Sequence, residues 1–376
     1  MFYGEKRRMR VVEIKEAKAV KKFINMADDI YRGDKFYVPY MRRDLYKTLC
    51  ALVLKHKTYT ALAVERNGKF IARVLFTVGA AKRIEADRCG YFSHFECVND
   101  VEVCKLLLEH MCKMLKERGI SRVEGTYFPH DQDNRRGILA EGFEYPPMIF
   151  TSYNPPYYNE LLTACGFKKD FDTVAYRFDF TNVDMDRIER LTERVKKRCG
   201  LELNIVNFNN LDSEIEAFYG VMKKATTDVI FQEAPTMEAL RSIVTEWKNY
   251  LWADLIYIVR RTGDNLPVGV MLSLPDYNGV FRKMNGRINP VSIIKMLYYK
   301  KRISSVRPIL QYVIPEYHNL GVNYVMYYEF FKTCKRYGIE NIEAGTIMED
   351  NLPSRMNLEH AGGFLNKIFR IYGREI

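Results

Sequence analysis

Residues 307–338 read RPILQYVIPEYHNLGVNYVMYYEFFKTCKRYG. The first eight residues form a largely apolar run that predicts a strand, and the segment after Gly321 has the apolar spacing of a helix. A strand, a short turn and a helix in this order direct unpaired backbone N–H groups and the positive end of the helix dipole toward one point. Gly321 lets the turn approach a ligand closely. The stretch therefore predicts a binding site for a phosphate group.

This turn resembles the pyrophosphate loop of the GNAT superfamily of N-acyltransferases. The family pattern is Q/RxxGxG/A at the start of the main helix, which here is HNLGVN, residues 318–323. The central glycine is present, whereas His318 replaces the usual Arg or Gln and Asn323 replaces the usual Gly or Ala. A further strand, the sequence EDN and a Gly-Phe pair follow in the family's order. The resemblance implies an α/β fold in which helices flank a central mixed sheet.

The resemblance also implies where the acyl donor, acetyl-CoA or a longer acyl-CoA, would bind without a metal. Backbone groups of the preceding strand would pair with the pantetheine amides, at Gln311, Tyr312, Val313 and Ile314. The loop would hold the pyrophosphate through His318, Asn319, Leu320, Gly321, Val322 and Asn323. Asn351 would contact the CoA arm. From residue type alone, Gly321 could equally mark only a tight turn, and Asn351 only a helix N-cap.

Enzymes of this family join the substrate amine directly to the thioester carbon, which requires a base and an acid. The acid is commonly a tyrosine four residues before the Gly-Phe pair, where this chain has Glu359. The catalytic candidates near the turn are therefore Tyr312 and Glu316. Other titratable residues close in sequence are Tyr317, His318 and Glu349. Each could equally be a packed or solvated side chain, and we expect His318 to be a phosphate or backbone partner rather than a base.

The chain also shows an internal duplication. GISRVE at 119–124 aligns with GIENIE at 338–343, and each segment follows a predicted amphipathic helix. NPPYYNELLTACGF at 154–167 aligns with NLPSRMNLEHAGGF at 351–364. The two alignments differ in offset, which indicates an insertion in the first copy. Both halves repeat one order of predicted strands and helices, so the sequence predicts two GNAT-like folds in tandem.

The duplication predicts two domains, residues 1–180 and 201–376, joined by a charged helix over 181–200. In the first domain the turn corresponding to the loop is ECVNDV at 96–101, which contains no glycine. Its carboxylates, including Asp100, would satisfy the helix dipole themselves and repel a pyrophosphate. We therefore expect the first domain to be degenerate for CoA and to have a structural or substrate-shaping role.

The 376 residues carry a net charge of +11, which predicts attraction to an anionic partner. Residues 282–307 supply eight basic side chains and no acidic one. Within them, VSIIKMLYYKK at 291–301 predicts a mostly apolar helix with tyrosines beside lysines, which suits an anionic membrane surface. The alternative is a segment packed between the two copies. No nucleic-acid motif accompanies the charge, so nucleic acid is not expected as a partner.

The eight cysteines lack metal-binding spacing, and no apolar run approaches the roughly 18 residues of a membrane span. The N-terminus does not read as a signal peptide, so the expected location is the cytoplasm, including the membrane surface. The sequence predicts an acyl-CoA-dependent N-acyltransferase that modifies an amine of a small molecule, lipid or peptide, in the groove between the copies. The alternative is a non-catalytic GNAT-fold binding or scaffold protein for CoA or an anionic surface.

Overall fold

The computed structural model describes residues 9–80, 88–131, 134–226 and 236–376. Over these residues the strands are β1 (Arg10–Glu13), β2 (Thr60–Arg66), β3 (Lys69–Ala80), β4 (Arg88–Cys97), β5 (Arg122–Gly125), β6 (Ile138–Glu141), β7 (Lys168–Phe178), β8 (Leu201–Ile205), β9 (Ile256–Arg261), β10 (Pro267–Pro275), β11 (Ser305–Val313), β12 (Asn341–Met348) and β13 (Gly363–Glu375). The α-helices are α1 (Ala17–Asn25), α2 (Ala27–Ile30), α3 (Arg42–Leu49), α4 (Val101–Lys116), α5 (Tyr158–Ala164), α6 (Met185–Cys199), α7 (Leu211–Ala225), α8 (Met237–Trp247), α9 (Asn278–Met284), α10 (Pro290–Lys300), α11 (Val322–Arg336) and α12 (Leu352–His360). This mixture confirms the predicted α/β class.

Two compact units divide the chain, and each combines segments that are distant in sequence. The first lies within Met1–Thr173, Asn278–Lys301 and Lys367–Ile376, and the second lies within Val174–Tyr277 and Arg302–Asn366. Residues 278–301, which contain most of the basic residues of 282–307, and the end of β13 therefore belong to the first unit although they lie in the second half of the chain. The predicted domain boundaries at 180 and 200 concern the duplication in sequence, and they stay a prediction.

The sheet of the first unit has the strand order β1-β2-β3-β4-β5-β13, and β6 also pairs with β13. The strands from β1 to β4 are antiparallel, whereas β4 and β5 run parallel from Gly90 to Phe92. α4 buries the apolar stripe that its sequence predicts, with Leu107, Met111 and Leu115 in the same core cluster as Phe92. The insertion of the first copy thus supplies β6, which the sequence alone did not predict.

The sheet of the second unit has the strand order β7-β12-β11-β10-β9-β8. β8 to β11 are antiparallel, and β11 runs parallel to β12. The Gln311 side chain donates a hydrogen bond to the Tyr327 hydroxyl of α11, whereas the next residue, Tyr312, packs against apolar residues of α7 and α8. Successive strand side chains point to opposite faces, so α11 and the pair α7 and α8 cover opposite faces of this sheet.

Local turn and cap chemistry sets the ends of several elements. Asn67 and Gly68 have φ values of 53° and 75° in the turn that joins β2 to β3, as a type I′ hairpin requires. Gly119 follows α4 with φ 74°. The charged segment over 181–200 contains α6, which Asp184 caps at its N-terminus and Gly200 ends with φ 58°. These features depend on local turn and cap chemistry, which a sequence expresses directly.

Candidate functional site

β11 and β12 separate soon after they begin. Their parallel pairing among the described residues consists of Ser305 with Asn341 and Val306 with Ile342. β11 continues along β10 as far as Val313, with a register shift opposite Leu272 of β10. A bulge bends the strand that carries it. Among the described residues, the edge of β11 that faces β12 therefore has no neighbouring strand between Val306 and the end of β11 at Val313.

The direction of the backbone groups along β11 decides which of them face this opening. The Ile314 N–H donates to the Val268 carbonyl at 3.0 Å, and its own carbonyl accepts from the Tyr317 N–H at 3.0 Å. Backbone groups alternate between the two edges of an antiparallel strand, so those of Gln311 and Val313 face away from β10. The edge that faces the opening therefore belongs to Gln311 and Val313, whereas the N–H and the carbonyl of Ile314 bond within the protein. The set of four pantetheine partners stays a prediction.

The predicted pyrophosphate loop forms the entry to α11. Gly321 is the N-cap residue with φ 85°, a left-handed conformation that glycine adopts without strain, and no side chain caps the helix. No backbone hydrogen bond of the described residues uses the N–H groups of Gly321, Val322 or Asn323. Free donors at the positive end of a helix dipole are what an anion binds. A Cβ at position 321 would also lie 3.0 Å from Cγ2 of Val195, so a side chain there would press on α6.

α6 packs beside this loop and adds a positive charge that sequence reasoning missed. Arg198 donates from Nη2 to the Leu320 carbonyl at 2.7 Å, and Thr192 donates from Oγ1 to the Tyr324 carbonyl at 2.8 Å. The guanidinium of Arg198 therefore lies at the turn that precedes α11. The basic run Lys196, Lys197 and Arg198 was visible in the sequence. Its position at the loop follows only from the packing of α6 on α11.

The remaining loop and arm residues have structural partners. His318 lies on the surface and donates from Nε2 to the Val313 carbonyl at 2.9 Å, so it is a backbone partner, as one of the two expectations held. Asn319 has φ 60° and turns the chain toward Leu320. Asn351 is the N-cap of α12 and accepts from the Ser354 N–H at 3.2 Å. The cap explains Asn351 without a ligand, and its contact with CoA stays a prediction.

The two catalytic candidates lie in different surroundings. The ring of Tyr312 packs against the apolar cluster of Ile215, Met222 and Leu240. Glu316 lies exposed on the 3₁₀ turn Pro315–Tyr317, where water solvates its carboxylate. A catalytic base usually depends on a shaped environment around it. Glu316 is therefore the weaker of the two candidates on physical grounds.

Glu359 takes part in a cluster that the sequence did not reveal. The Tyr176 hydroxyl donates to Oε1 of Glu359 at 2.6 Å, and Nε of Arg355 donates to the same hydroxyl at 3.0 Å. Arg355 also donates to the Glu349 carbonyl at 2.7 Å. The carboxylate is exposed while the tyrosine ring is fully buried, and this burial raises the pKa of Tyr176. The position of the missing family tyrosine thus holds a carboxylate that a buried tyrosine from β7 orients.

The corresponding place in the first unit is closed by the chain itself. The Val98 N–H donates to the Ile71 carbonyl of β3. The backbone N–H and carbonyl of the preceding residue, Cys97, therefore point to the other edge of β4, beyond the point where β5 stops pairing with it. The Cys97 N–H donates to the Tyr158 hydroxyl at 3.0 Å, and the Tyr157 hydroxyl donates to the Cys97 carbonyl at 2.9 Å. Asp100 caps α4 by accepting from the Glu102 and Val103 N–H groups. These bonds engage the backbone groups of this edge within the first unit. That the first copy does not bind CoA stays a prediction.

A buried charged group lies beside these tyrosines. Nη2 of Arg73, of which 1% is exposed, lies 3.3 Å from Oε1 of Glu96. The Tyr158 hydroxyl donates to the other carboxylate oxygen at 2.7 Å. Burial raises the pKa of Glu96, and the neighbouring Arg73 opposes that effect. In this gap between β4 and β5, which we call the filled cleft, the side chains of Arg73, Glu96 and Tyr158 therefore bond to one another.

Among the described residues, the His, Cys, Asp and Glu side chains form no group of three or more that could hold a metal ion. Across the same ranges, no helix is both long and apolar enough to cross a membrane.

The two open-edged strand pairs and the helix that follows each of them define a fold known from solved structures. The chain is similar to a tandem GNAT protein from the clavulanic acid biosynthesis pathway, with a TM-score of 0.55 over 98% of each chain and 8% identity. The chain therefore has the tandem GNAT fold, as its sequence predicted. No protein-family model matches it.

Two relatives match the chain over nearly its whole length. Protein YghO of Escherichia coli (strain K12) is 22% identical over 368 residues, which are 95% of this chain and 93% of that protein. Bacterial ceramide synthase of Caulobacter vibrioides (strain NA1000 / CB15N) is 22% identical over 382 residues, which are 98% of each chain.

Proposed function

We propose that this protein is an acyl-CoA-dependent N-acyltransferase whose donor site lies in the second unit, where β11 leaves β12. The observation that carries the proposal is the pairing of these strands, which reaches only to Val306, with Gln311 and Val313 turned toward the opening. An open strand edge can pair with an extended chain of amides. The uncapped N-terminus of α11 supplies the donors that a phosphate needs. The tandem GNAT fold supports CoA as the carrier.

We propose further that the acceptor amine belongs to a molecule with a long apolar chain. A ceramide is the amide of a fatty acid and a long-chain amino alcohol, and one relative of matching length is named bacterial ceramide synthase. In this chain Tyr312, on the strand proposed to hold the donor, packs against the buried apolar cluster of Ile215, Met222 and Leu240. Apolar side chains around a ligand suit a hydrocarbon chain better than a charged peptide.

The proposed reaction joins the acceptor nitrogen to the thioester carbonyl carbon and breaks the carbon–sulfur bond. The amine loses one proton and the departing thiolate gains one. We assign both transfers to Glu359, because its exposed carboxylate occupies the place of the family's acid and is oriented by Tyr176. A carboxylate that accepts the proton from the amine can return it to the thiolate. Tyr312 and Glu316 stay candidates for the same step.

Binding is tested by thermal unfolding with CoA, acetyl-CoA and a long-chain acyl-CoA. A ligand that binds only the folded protein at about one hundred times its Kd adds about 2.7 kcal/mol of stability, which raises the unfolding midpoint clearly. Absence of a shift with every acyl-CoA would overturn the donor site. Replacing Gly321 is unsuitable for this test, because a side chain there would strain φ and press on Val195.

Turnover is tested by release of free thiol from acyl-CoA in the presence of a long-chain amino alcohol, with a short alkylamine as the comparison. We expect faster release with the long-chain amine, and a fall of roughly a hundredfold in kcat for Glu359→Gln with unchanged affinity for acetyl-CoA. Thermal shifts without thiol release from any amine would favour the alternative function, a non-catalytic GNAT-fold protein that binds CoA.

A further inference from the structure

The helix α10 presents apolar side chains to solvent instead of to the core. Val291, Ile294 and Leu297 have 62%, 68% and 59% of their surface exposed. The same span contains the other exposed residues Ile288, Ile293 and Tyr298. Exposed apolar side chains are ordinary when they are scattered, whereas a contiguous group marks a surface for a partner or a membrane. This group is the densest of its kind among the described residues.

The exposed side chains lie on one side of the helix. At about 100° per residue, the positions of Ile293, Leu297, Ile294, Tyr298 and Val291 cover roughly 160° of its circumference. Ser292 is buried on the opposite side, with Met296 and Tyr299 partly buried there. Lys295 and Lys300 fall near the two edges of the apolar face. An apolar face bordered by lysines on both sides is the pattern of a helix that lies in the plane of a membrane interface.

The segment is held firmly on the first unit, so the outward face is a property of the folded protein. The Asn278 side chain donates from Nδ2 to the Pro147 carbonyl at 2.9 Å, and the Arg42 N–H donates to the Gly286 carbonyl at 2.9 Å. A capping box between Asn289 and Ser292 fixes the start of α10. The apolar side chains of this face are therefore exposed in the folded protein.

The charge around α10 selects the kind of partner. Residues 282–307 contain eight basic and no acidic side chains. A basic segment is attracted to anionic lipid headgroups by about 1 kcal/mol for each Lys or Arg near the surface. Nucleic acid would meet the same charges, but it offers no apolar region for five outward aliphatic and aromatic side chains. A lipid surface satisfies the charge and the apolar face together.

We propose that α10 and the preceding Ile288 form a docking surface for an anionic lipid bilayer, with the helix lying in the headgroup region and its apolar face toward the acyl chains. This inference does not depend on the proposed acyl transfer, since binding to vesicles can be measured without turnover. If both are correct, docking brings the protein to the membrane in which a long-chain amine would dissolve.

The test is sedimentation of the full chain with vesicles of phosphatidylglycerol and with vesicles of phosphatidylcholine. We expect binding to phosphatidylglycerol that weakens as salt is raised, and far weaker binding to phosphatidylcholine. Ile294→Glu is expected to lower the partition coefficient about tenfold, and Lys295→Gln about fivefold. The matched control is Ile243→Glu, at an exposed isoleucine of α8, which should bind like the original protein.

Because both isoleucines are exposed, neither glutamate should change the thermal midpoint, so loss of binding cannot be attributed to unfolding. The proposal is overturned if the protein does not sediment with phosphatidylglycerol, or if Ile243→Glu weakens binding as much as Ile294→Glu. It is also overturned if light scattering shows a dimer that Ile294→Glu dissociates, or if duplex DNA binds through α10 while vesicles do not.

Discussion

In both units two parallel strands separate soon after they begin pairing. Side chains fill the gap between the strands in the first unit, whereas the gap stays open in the second. In the first, the tyrosine hydroxyls of α5 and the residue before it engage both backbone groups of Cys97, and Asp100 caps the helix that follows. In the second, no side chain of the described residues caps the helix that follows, and the Val313 carbonyl accepts from the surface side chain His318. The same gap between two parallel strands is therefore part of the core where side chains fill it, and a candidate ligand site where it stays open.

The sequence alignment explains how this difference arises. Tyr157 and Tyr158 correspond to Ser354 and Arg355 in the second copy. Serine is too short to reach a strand edge, and Arg355 is directed at Tyr176 and the Glu349 carbonyl instead. The filled cleft of the first unit and the open gap between β11 and β12 therefore differ by two side chains, Tyr157 and Tyr158 in the first copy against Ser354 and Arg355 in the second. The predictions below test this contrast.

The largest effect is expected from removing the buried carboxylate of the filled cleft. Glu96→Ala leaves Arg73 buried without its charged partner, which should lower the free energy of unfolding by about 3–5 kcal/mol. Tyr312 occupies the corresponding place on β11, and Tyr312→Phe should change stability by no more than about 1 kcal/mol. Urea unfolding of both variants measures the difference. Equal losses would mean that the open cleft is as much a part of the core as the filled one.

A smaller effect is expected from acid, through His94 of β4, the strand that carries Glu96 in the filled cleft. Burial lowers the pKa of His94 to about 3. The folded protein therefore favours the neutral ring, so this contribution to stability is complete above the unfolded pKa of about 6.5 and is lost as pH falls toward 3. Between pH 7 and pH 5 the loss is about 2 kcal/mol. His94→Phe should remove this part of the pH dependence in urea unfolding, and His318→Ala, on the surface, should retain it.

The open cleft should close when it receives a tyrosine. Ser354→Tyr places in the second copy the side chain that corresponds to Tyr157, and we expect it to compete with the pantetheine chain for the edge of β11. Acetyl-CoA should bind about tenfold more weakly, which corresponds to about 1.4 kcal/mol. The matched control is Met356→Tyr, at an exposed position of the same helix. Equal weakening by both variants in titration calorimetry would contradict the assigned position of the donor.

The smallest effect concerns charge at the two helix N-termini. Asn323→Asp adds a carboxylate to the first turn of α11, where it favours the helix dipole but repels a pyrophosphate, so acetyl-CoA should bind about fivefold more weakly without loss of stability. Asp100→Ala removes the cap of α4 and should cost about 1 kcal/mol of stability without changing that affinity. A loss of both stability and affinity in Asn323→Asp would refute a purely electrostatic effect.

Much of the second copy could be predicted because its signals are local. The pyrophosphate loop was recognised from Gly321 and the helix after it, and the cap of Asp100 was visible from its position before an amphipathic run. The direction of the Ile314 backbone groups could not be predicted, because strand alternation depends on which neighbour the strand pairs with. Arg198 and Tyr176 were missed because each is distant in sequence from the residues it contacts.

The sequence by itself determined the order of strands and helices, the tandem fold and the contrast between an uncapped and a capped helix. Periodicity, glycine positions and cap residues act within a few residues of the chain, so no knowledge of packing is needed to interpret them. Only the tertiary structure decided that residues 278–301 and 367–376 complete the first unit, that two tyrosines fill one cleft, and that α10 turns its apolar face outward. Such features follow from contacts between distant segments, which no local pattern encodes.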